Sequence, residues 1–198
     1  YYGVEKTIEK EFVVFDKKRS WGPWLVTDIV ARDAETDNAN SFTMLQNAWG
    51  VDTFVIGSST YAIVTGQADD GVQLIDISDP TAIVAKDSHD DGDTPVSDRK
   101  CGELDGAIGV ETFVIGSSTY AIVTGTLDDG VQMIDISDPA AIDCIAKKGD
   151  NGSRELDGAI DVDIFTIGSS TYAIVAADVD DGVQILDVSD PTNINVKD

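Results

Sequence analysis

Residues 51–80 read VDTFVIGSSTYAIVTGQADDGVQLIDISDP, and nearly the same stretch returns at 110–139 as VETFVIGSSTYAIVTGTLDDGVQMIDISDP. A third copy at 162–191 reads VDIFTIGSSTYAIVAADVDDGVQILDVSDP. The Asp-Gly pairs ending at Gly71, Gly130 and Gly182 lie 59 and 52 residues apart, and the longer gap holds an acidic insertion at 87–98, DSHDDGDTPVSD. Three copies at this similarity make the chain a tandem repeat, and a period of about 50 residues points to an array of small supersecondary units.

Within one copy the local code is β throughout. The runs ETFVIG, TYAIVTG and VQMIDIS are rich in Val, Ile, Thr, Phe and Tyr and are bounded by Gly, Ser or Asp. Gly116-Ser117-Ser118 predicts a tight turn between the first two strands, and Asp129-Gly130 predicts the next, with the glycine expected to take the positive φ of a hairpin turn. Ser137-Asp138-Pro139 ends the third strand, because proline offers no N–H to the ladder and the aspartate before it caps a turn. A fourth, weaker strand is expected at 142–147, matched by 83–86 and 194–197. No segment carries a helical period. Four antiparallel strands in a unit of this length form a propeller blade, so the expected fold is all-β, with β-propeller-type repeats.

Working outward, residues 29–33 (IVARD) match 83–87 (IVAKD), so residues 24–33 read as the outer strand of a preceding blade, and 12–16 (FVVFD) read as its degenerate third strand. The expected organisation is a partial blade or docking segment at 1–40, blade 1 with its acidic insertion at 41–100, blade 2 at 101–150 and blade 3 at 151–198. A propeller usually needs at least four blades to close. Either the front segment completes a small ring, or another copy or another protein supplies the missing strands, or the chain is a piece of a longer repeat protein. Unpaired strand edges template pairing with other chains. Head-to-tail pairing between the two ends is heterologous and gives rings or filaments. The expected partner is therefore the chain itself, or a larger protein assembly.

The strand-turn-strand core TYAIVTG…DDGVQ-IDISDP resembles the LVIVD-type repeat, a β-propeller repeat of secreted and surface proteins of bacteria, archaea and some algae. The resemblance covers about 150 of the 198 residues. It implies a scaffold and an extracellular or cell-surface location; it implies no reaction, because fold alone does not give function.

Charge narrows the function classes. The chain has 37 Asp and Glu against 13 Lys and Arg, for a net charge of −24. Residues 1–40 hold 8 acids and 6 bases, whereas residues 41–198 hold 29 acids and 7 bases. Such a surface repels nucleic acid and anionic lipid. No apolar run approaches the roughly 18 to 20 residues of a spanning helix, so membrane insertion is not expected. One histidine and two cysteines exclude a zinc finger, an iron–sulfur site or a histidine-based metal cluster.

Each candidate site has a plainer structural reading beside it. Asp69-Asp70, Asp128-Asp129 and Asp180-Asp181 sit at the same hairpin in each copy. Repeated carboxylates suit Ca²⁺, which takes oxygen ligands, but Asp-Gly is also a preferred hairpin turn. The insertion gathers Asp90, Asp91 and Asp93 with His89 around Gly92 and is the better Ca²⁺ candidate, unless it is simply a solvated acidic loop. Asp52, Glu111 and Asp163 align on the first strand, as do Asp105 and Asp157 in the LDGA segments. Facing one another across a channel, they would bind cations or have raised pKa values; the first copy has Leu45-Gln46-Asn47-Ala48 instead, which favours turn acids. Asp76, Asp135 and Asp187 are expected to point outward or bond a neighbouring turn. Tyr61, Tyr120 and Tyr172, with Phe54, Phe113 and Phe165, read as packing residues.

Cys101 and Cys144 are a candidate disulfide, which would fit an oxidising compartment. Asn151-Gly152-Ser153 is an N-glycosylation acceptor in a secreted chain. Trp21, Trp24 and Trp49, with Tyr1 and Tyr2, form either a docking surface or a plug for the core. His89 has no Ser or Cys partner for a nucleophile arrangement, and no catalytic residue is expected. The sequence thus points to an extracellular or surface structural or interaction module, assembling into an oligomer, filament or larger surface assembly. The alternative is a Ca²⁺-dependent module binding glycans or matrix.

Overall fold

The β-branched runs become three four-stranded antiparallel sheets. β1 (Ala48–Ile56), β2 (Ser59–Gly66), β3 (Gly71–Asp76) and β4 (Val84–Asp90) form blade 1. β5 (Ala107–Ile115), β6 (Ser118–Gly125), β7 (Gly130–Asp135) and β8 (Asp143–Gly149) form blade 2. β9 (Ala159–Ile167), β10 (Ser170–Ala177), β11 (Gly182–Asp187) and β12 (Asn195–Lys197) form blade 3. The structure is a computed structural model and describes residues 31–92 and 101–197, with no helix among them. The chain divides into two units, Tyr1–Val30 and Ala31–Asp198. Most of the expected front blade, with Tyr1, Tyr2, Trp21 and Trp24, lies outside the described residues, as does Asp93.

Register repeats from blade to blade. Phe54 faces Tyr61, Phe113 faces Tyr120 and Phe165 faces Tyr172 across the first two strands, with ring centroids 5.6, 5.9 and 5.5 Å apart. These aromatics are packing pairs, as the alternation of the strands requires. After the third strand, Ser78 N–H bonds the Asp76 carboxylate at 3.0 Å, and Ser137 and Ser189 treat Asp135 and Asp187 alike. The aspartate before each proline closes a further turn: Asp79 accepts from Thr81, Asp138 from Ala140 and Asp190 from Thr192.

Two local expectations are corrected. The positive φ of the second hairpin belongs to the aspartate, not to the glycine: Asp70, Asp129 and Asp181 have φ of 52°, 56° and 53°. Aspartate tolerates this region because its short side chain bonds locally. The glycine serves close approach instead, since a Cβ at Gly71 would lie 2.3 Å from the His89 carbonyl oxygen. The acidic insertion, in turn, does not begin as a loop. β4 runs through Asp87, Ser88 and His89 to Asp90, with Val72 opposite His89 and Gly71 opposite Asp90. A register shift between Gln73 and Ile75 absorbs an extra residue on β4 and lets the ladder continue.

Burial shows how the blades stack. One core joins the trailing face of blade 1 (Phe54, Ile63, Val72, Leu74) to the leading face of blade 2 (Leu104, Ala107, Val110, Ala121, Val123, Ile134). A second joins Phe113, Ile122, Val131 and Met133 of blade 2 to Leu156, Ala159, Val162, Ala173, Val175 and Leu186 of blade 3. Large residues on each trailing face thus meet Ala and β-branched residues on the next leading face. The first strands lie side by side, β1 against β5 and β5 against β9. Their approach is so close that a Cβ at Gly50 would sit 2.2 Å from the Ile108 carbonyl oxygen, and one at Gly109 would sit 2.9 Å from that of Ile160.

Candidate functional site

The repeated aspartate pairs are inter-strand and inter-blade clamps. The first of each pair accepts an N–H from the segment entering its own blade: Asp69 from Gln46 at 2.7 Å, Asp128 from Asp105 at 2.9 Å and Asp180 from Asp157 at 2.8 Å. The second reaches the next blade: Asp70 accepts from Gly106 and Asp129 from Gly158, both at 3.0 Å. The left-handed backbone at Asp70 and Asp129 goes with this reach. Asp181, the third member, accepts no hydrogen bond among the described residues.

Other side chains link the same junctions. Asp52 accepts from the backbone and hydroxyl of Thr112 on blade 2. Thr65 holds Gly50 N–H at 2.8 Å and donates its hydroxyl to the Ile108 carbonyl at 2.7 Å, tying β1, β2 and β5 together. Asp87 accepts from Ile142 N–H, and the His89 ring bonds the Ile142 carbonyl, both at 2.9 Å. Asp33 makes the equivalent bond to Ile83 N–H at 2.9 Å. This is the role its alignment with Asp87 implies for the residue ahead of blade 1.

One set of structural residues was missed in the sequence. Gln73, Gln132 and Gln184 are buried in the third strands. Each accepts the entering backbone N–H (Thr43, Gly102, Glu155) and donates to two carbonyls, including one on the outermost strand (Asp87, Ala146, Lys197). A glutamine in the same place in three otherwise apolar strands, GVQLID, GVQMID and GVQILD, was the available signal, because a polar residue there must find partners.

Carboxylates crowd the junction of blades 1 and 2. Asp69, Asp70, Asp90, Asp91, Gly92 and Asp105 line a cavity of about 200 Å³. Burial pushes Asp91 up to about 6, and neighbouring Asp128 and Asp105 add to this, while Leu104 N–H works against it. Burial raises Glu103 to about 7 against the opposing charge of Lys147, 3.6 Å away. Asp105 is raised by burial and by Asp70 and Asp128, and Asp157 by burial and by Asp129. Along the first strands, burial raises Glu111, helped by Asp52, Asp163 and Asp161. The structure therefore brings Asp52, Glu111 and Asp163 within electrostatic reach. Among the described residues, however, no group of three or more His, Cys, Asp or Glu is arranged to hold a metal ion. Asp69, Asp70, Asp91, Asp128, Asp129 and Asp180 turn oxygens toward backbone N–H groups instead.

Cys101 and Cys144 form a disulfide with Cα atoms 5.3 Å apart, joining the entry of blade 2 to its outer strand. Asn151 is exposed, and its side-chain oxygen accepts Ser153 N–H at 3.2 Å. Trp49 is exposed at the start of β1, where with Val51, Ile108, Val110, Ile160, Asp161 and Asp178 it lines a cavity of about 610 Å³ along the first strands. No helix among the described residues is long and apolar enough to cross a membrane.

Among the described residues, the trailing face of blade 3 is more exposed than its counterparts. Val72 and Val131 are fully buried, but their counterpart Val183 is 59 % exposed. Ile63 and Ile122 are buried where Ile174 is partly exposed, and Ile56 and Ile115 pack into the cores where Ile167 is 66 % exposed. The leading face of blade 1 is partly open: Ala62 and Ile75 on it are buried, but its first strand is exposed. Val110 and Val162 are buried, but Val51 is 63 % exposed, and Ala48 is exposed where Ala107 and Ala159 are buried. Each of the three sheets has four strands, with β4, β8 and β12 as the outer ones.

The family model of the LVIVD repeat matches residues 58–91 and 169–198. No curated protein matches the chain. The two matched stretches fall on corresponding parts of blades 1 and 3, and residues 110–139 of blade 2 repeat 51–80 of blade 1 almost residue for residue. With three four-stranded blades built on that unit, the chain is an LVIVD-type repeat protein.

Proposed function

We propose that this chain is a non-catalytic structural or interaction module of the cell surface or extracellular space, working within an oligomer, filament or larger surface assembly. The observation that carries this reading is the exposure, among the described residues, of Val183 and Ile167 on blade 3 and Val51 on blade 1, whose counterparts inside the stack are buried or packed into the cores. Exposed apolar surface of this kind favours association. Support also comes from the side chains that a site would use. Asp70 and Asp129 are taken up by clamp bonds at the blade junctions, and His89 is bonded to Ile142. The Cys101–Cys144 bridge fits an oxidising compartment.

The test is the solution mass of the purified chain by size exclusion with light scattering across a concentration series. Association that grows with concentration is expected. A monomer of about 21 kDa at every concentration would overturn the reading.

A further inference from the structure

The link between blades 2 and 3 reads Asp150-Asn151-Gly152-Ser153-Arg154, and it is the one place in the chain where asparagine precedes glycine. The other asparagines, Asn38, Asn40, Asn47, Asn193 and Asn195, are each followed by a residue with a Cβ. A glycine nitrogen is the least hindered backbone nucleophile, because no side chain shields it. Asn151, Gly152 and Ser153 are all exposed, and a Cβ on Gly152 would meet nothing within 4 Å. No neighbouring strand obstructs a ring closing there.

Two hydrogen bonds inside the turn fall on the atoms that such a closure uses. Gly152 N–H donates to Asp150 Oδ2 at 2.6 Å, and Ser153 N–H donates to Asn151 Oδ1 at 3.2 Å. A carboxylate holds the proton of the glycine nitrogen, and an amide donor sits on the carbonyl oxygen beside the carbon under attack. The bond from Gly152 is also the largest cause holding the Asp150 carboxyl below its ordinary value, so the group is ionised at neutral pH. The turn is pinned on both sides. Asp150 N–H donates to the Asp129 carbonyl and Arg154 Nη1 to that of Gly149, both at 2.7 Å, and Glu155 N–H donates to Gln184 Oε1 at 3.2 Å.

We propose that Asn151 is a site of self-modification, converted through a cyclic imide to aspartate and isoaspartate, with Asp150 as the base and Ser153 N–H as the oxyanion donor. Asp150 takes the Gly152 proton as the nitrogen attacks Asn151 Cγ, and the new N–Cγ bond moves an electron pair onto Oδ1. Ser153 N–H stabilises that oxyanion. When the pair returns, the Cγ–Nδ2 bond breaks, and Nδ2 leaves as ammonia with the proton that Asp150 had taken. Water then opens the imide at either carbonyl. One opening leaves aspartate; the other leaves isoaspartate, whose backbone is longer by one CH2.

Either product adds a negative charge near Asp150, which already lies within electrostatic reach of Asp157 and its neighbours Asp129 and Asp180. Because the turn is held by Asp129 of blade 2 on one side and Gln184 of blade 3 on the other, the extra backbone atom falls on the link between the two blades. Conversion also removes the acceptor nitrogen of the Asn151-Gly152-Ser153 sequon.

The test follows the full-length chain, produced without glycosylation, by peptide mapping and mass spectrometry during storage at neutral pH. Asn151 is expected to convert about tenfold faster than any other asparagine of the chain, and about tenfold faster than in the same chain unfolded in urea. Asp150→Ser removes the base and Gly152→Ala shields the nitrogen, so each should slow conversion by about tenfold or more. Melting temperatures equal to that of the wild type show that both variants are folded. Conversion in the folded wild type that is no faster than in urea overturns the proposal without any variant, because the turn then protects Asn151. A wild-type rate in folded Asp150→Ser overturns it as well.

Discussion

Asp129 shows how much one residue of this chain does. Its backbone turns the hairpin with φ of 56°, and its carboxylate holds Gly158 N–H of the next blade. Asp129→Ala is expected to lower stability by about 1–2 kcal/mol, because the amide loses its acceptor and alanine is strained at positive φ. Asp129→Asn should recover most of this, since asparagine keeps the oxygen and tolerates the conformation; urea denaturation of both variants checks it. The sequence marked these aspartates as turn formers or metal ligands but did not show which strand their oxygens meet, because that amide belongs to another blade. Glu103 carries a pH effect. Its folded pKa of about 7 lies above the ordinary carboxylate value, as does that of Asp91 at about 6, both through burial. The folded state thus holds protons that the unfolded chain releases. The stabilisation is complete below about pH 4 and fades as pH rises toward 7. Asp76, Asp79 and Asp190, lowered by hydrogen bonds from Ser78, Thr81 and Thr192, act oppositely and lose their contribution only in stronger acid. Melting temperature is therefore expected to be highest near pH 4–5 and to fall toward pH 8. In Glu103→Gln the fall should be smaller, with a gain of about 1 kcal/mol at pH 8 after allowance for solvent screening.

At the scale of the strand and turn, local chemistry was legible almost throughout. The first three strands of each repeat, the Gly-Ser-Ser hairpins and the Ser-Asp-Pro stops all stand where β-branched runs and breakers put them. The fourth strand was read less well: β4 extends to Asp90 because a bulge opposite Gln73 and Ile75 keeps an acidic, weakly β-prone stretch in the ladder. Glycines separate local from tertiary demands. Gly116 has φ of 65° with open space around it, whereas a Cβ on Gly109 would meet Asp161 Cα, the Ile160 carbonyl oxygen and Thr124 Oγ1, each at 2.9 Å. Gly116→Ala is expected to cost about 1 kcal/mol from backbone conformation alone. Gly109→Ala should cost more, on the order of 2–3 kcal/mol, because two backbones must separate. Thermal melts of the two variants side by side distinguish them. The sequence marks Gly116 as a turn residue, whereas only the neighbouring blade makes Gly109 a contact residue.

At the scale of the whole molecule, charge and apolar faces oppose each other. A net charge of −24 makes two copies repel, while the association proposed above rests on exposed apolar surface. Raising ionic strength from about 0.01 M to 0.15 M shortens the screening length from about 30 Å to about 8 Å, so association is expected to strengthen with salt; sedimentation velocity at the two salt concentrations checks this. If mass is unchanged or falls as salt rises, charged contacts rather than apolar faces hold the assembly. The sequence by itself determined the repeat, the four-strand blade and the all-β class, because period, β-propensity and turn residues act within a few residues of one another. Asp33, which aligns with Asp87, accepts Ile83 N–H as Asp87 accepts Ile142 N–H. Only the tertiary structure decided which carboxylates clamp neighbouring blades, why a buried glutamine recurs on the third strand, and which identical valines are core or surface. Val72, Val131 and Val183 sit in the same local sequence, GVQ, and differ only in whether another blade covers them. Burial belongs to the stack and not to the strand, so no local reading of the chain contains it.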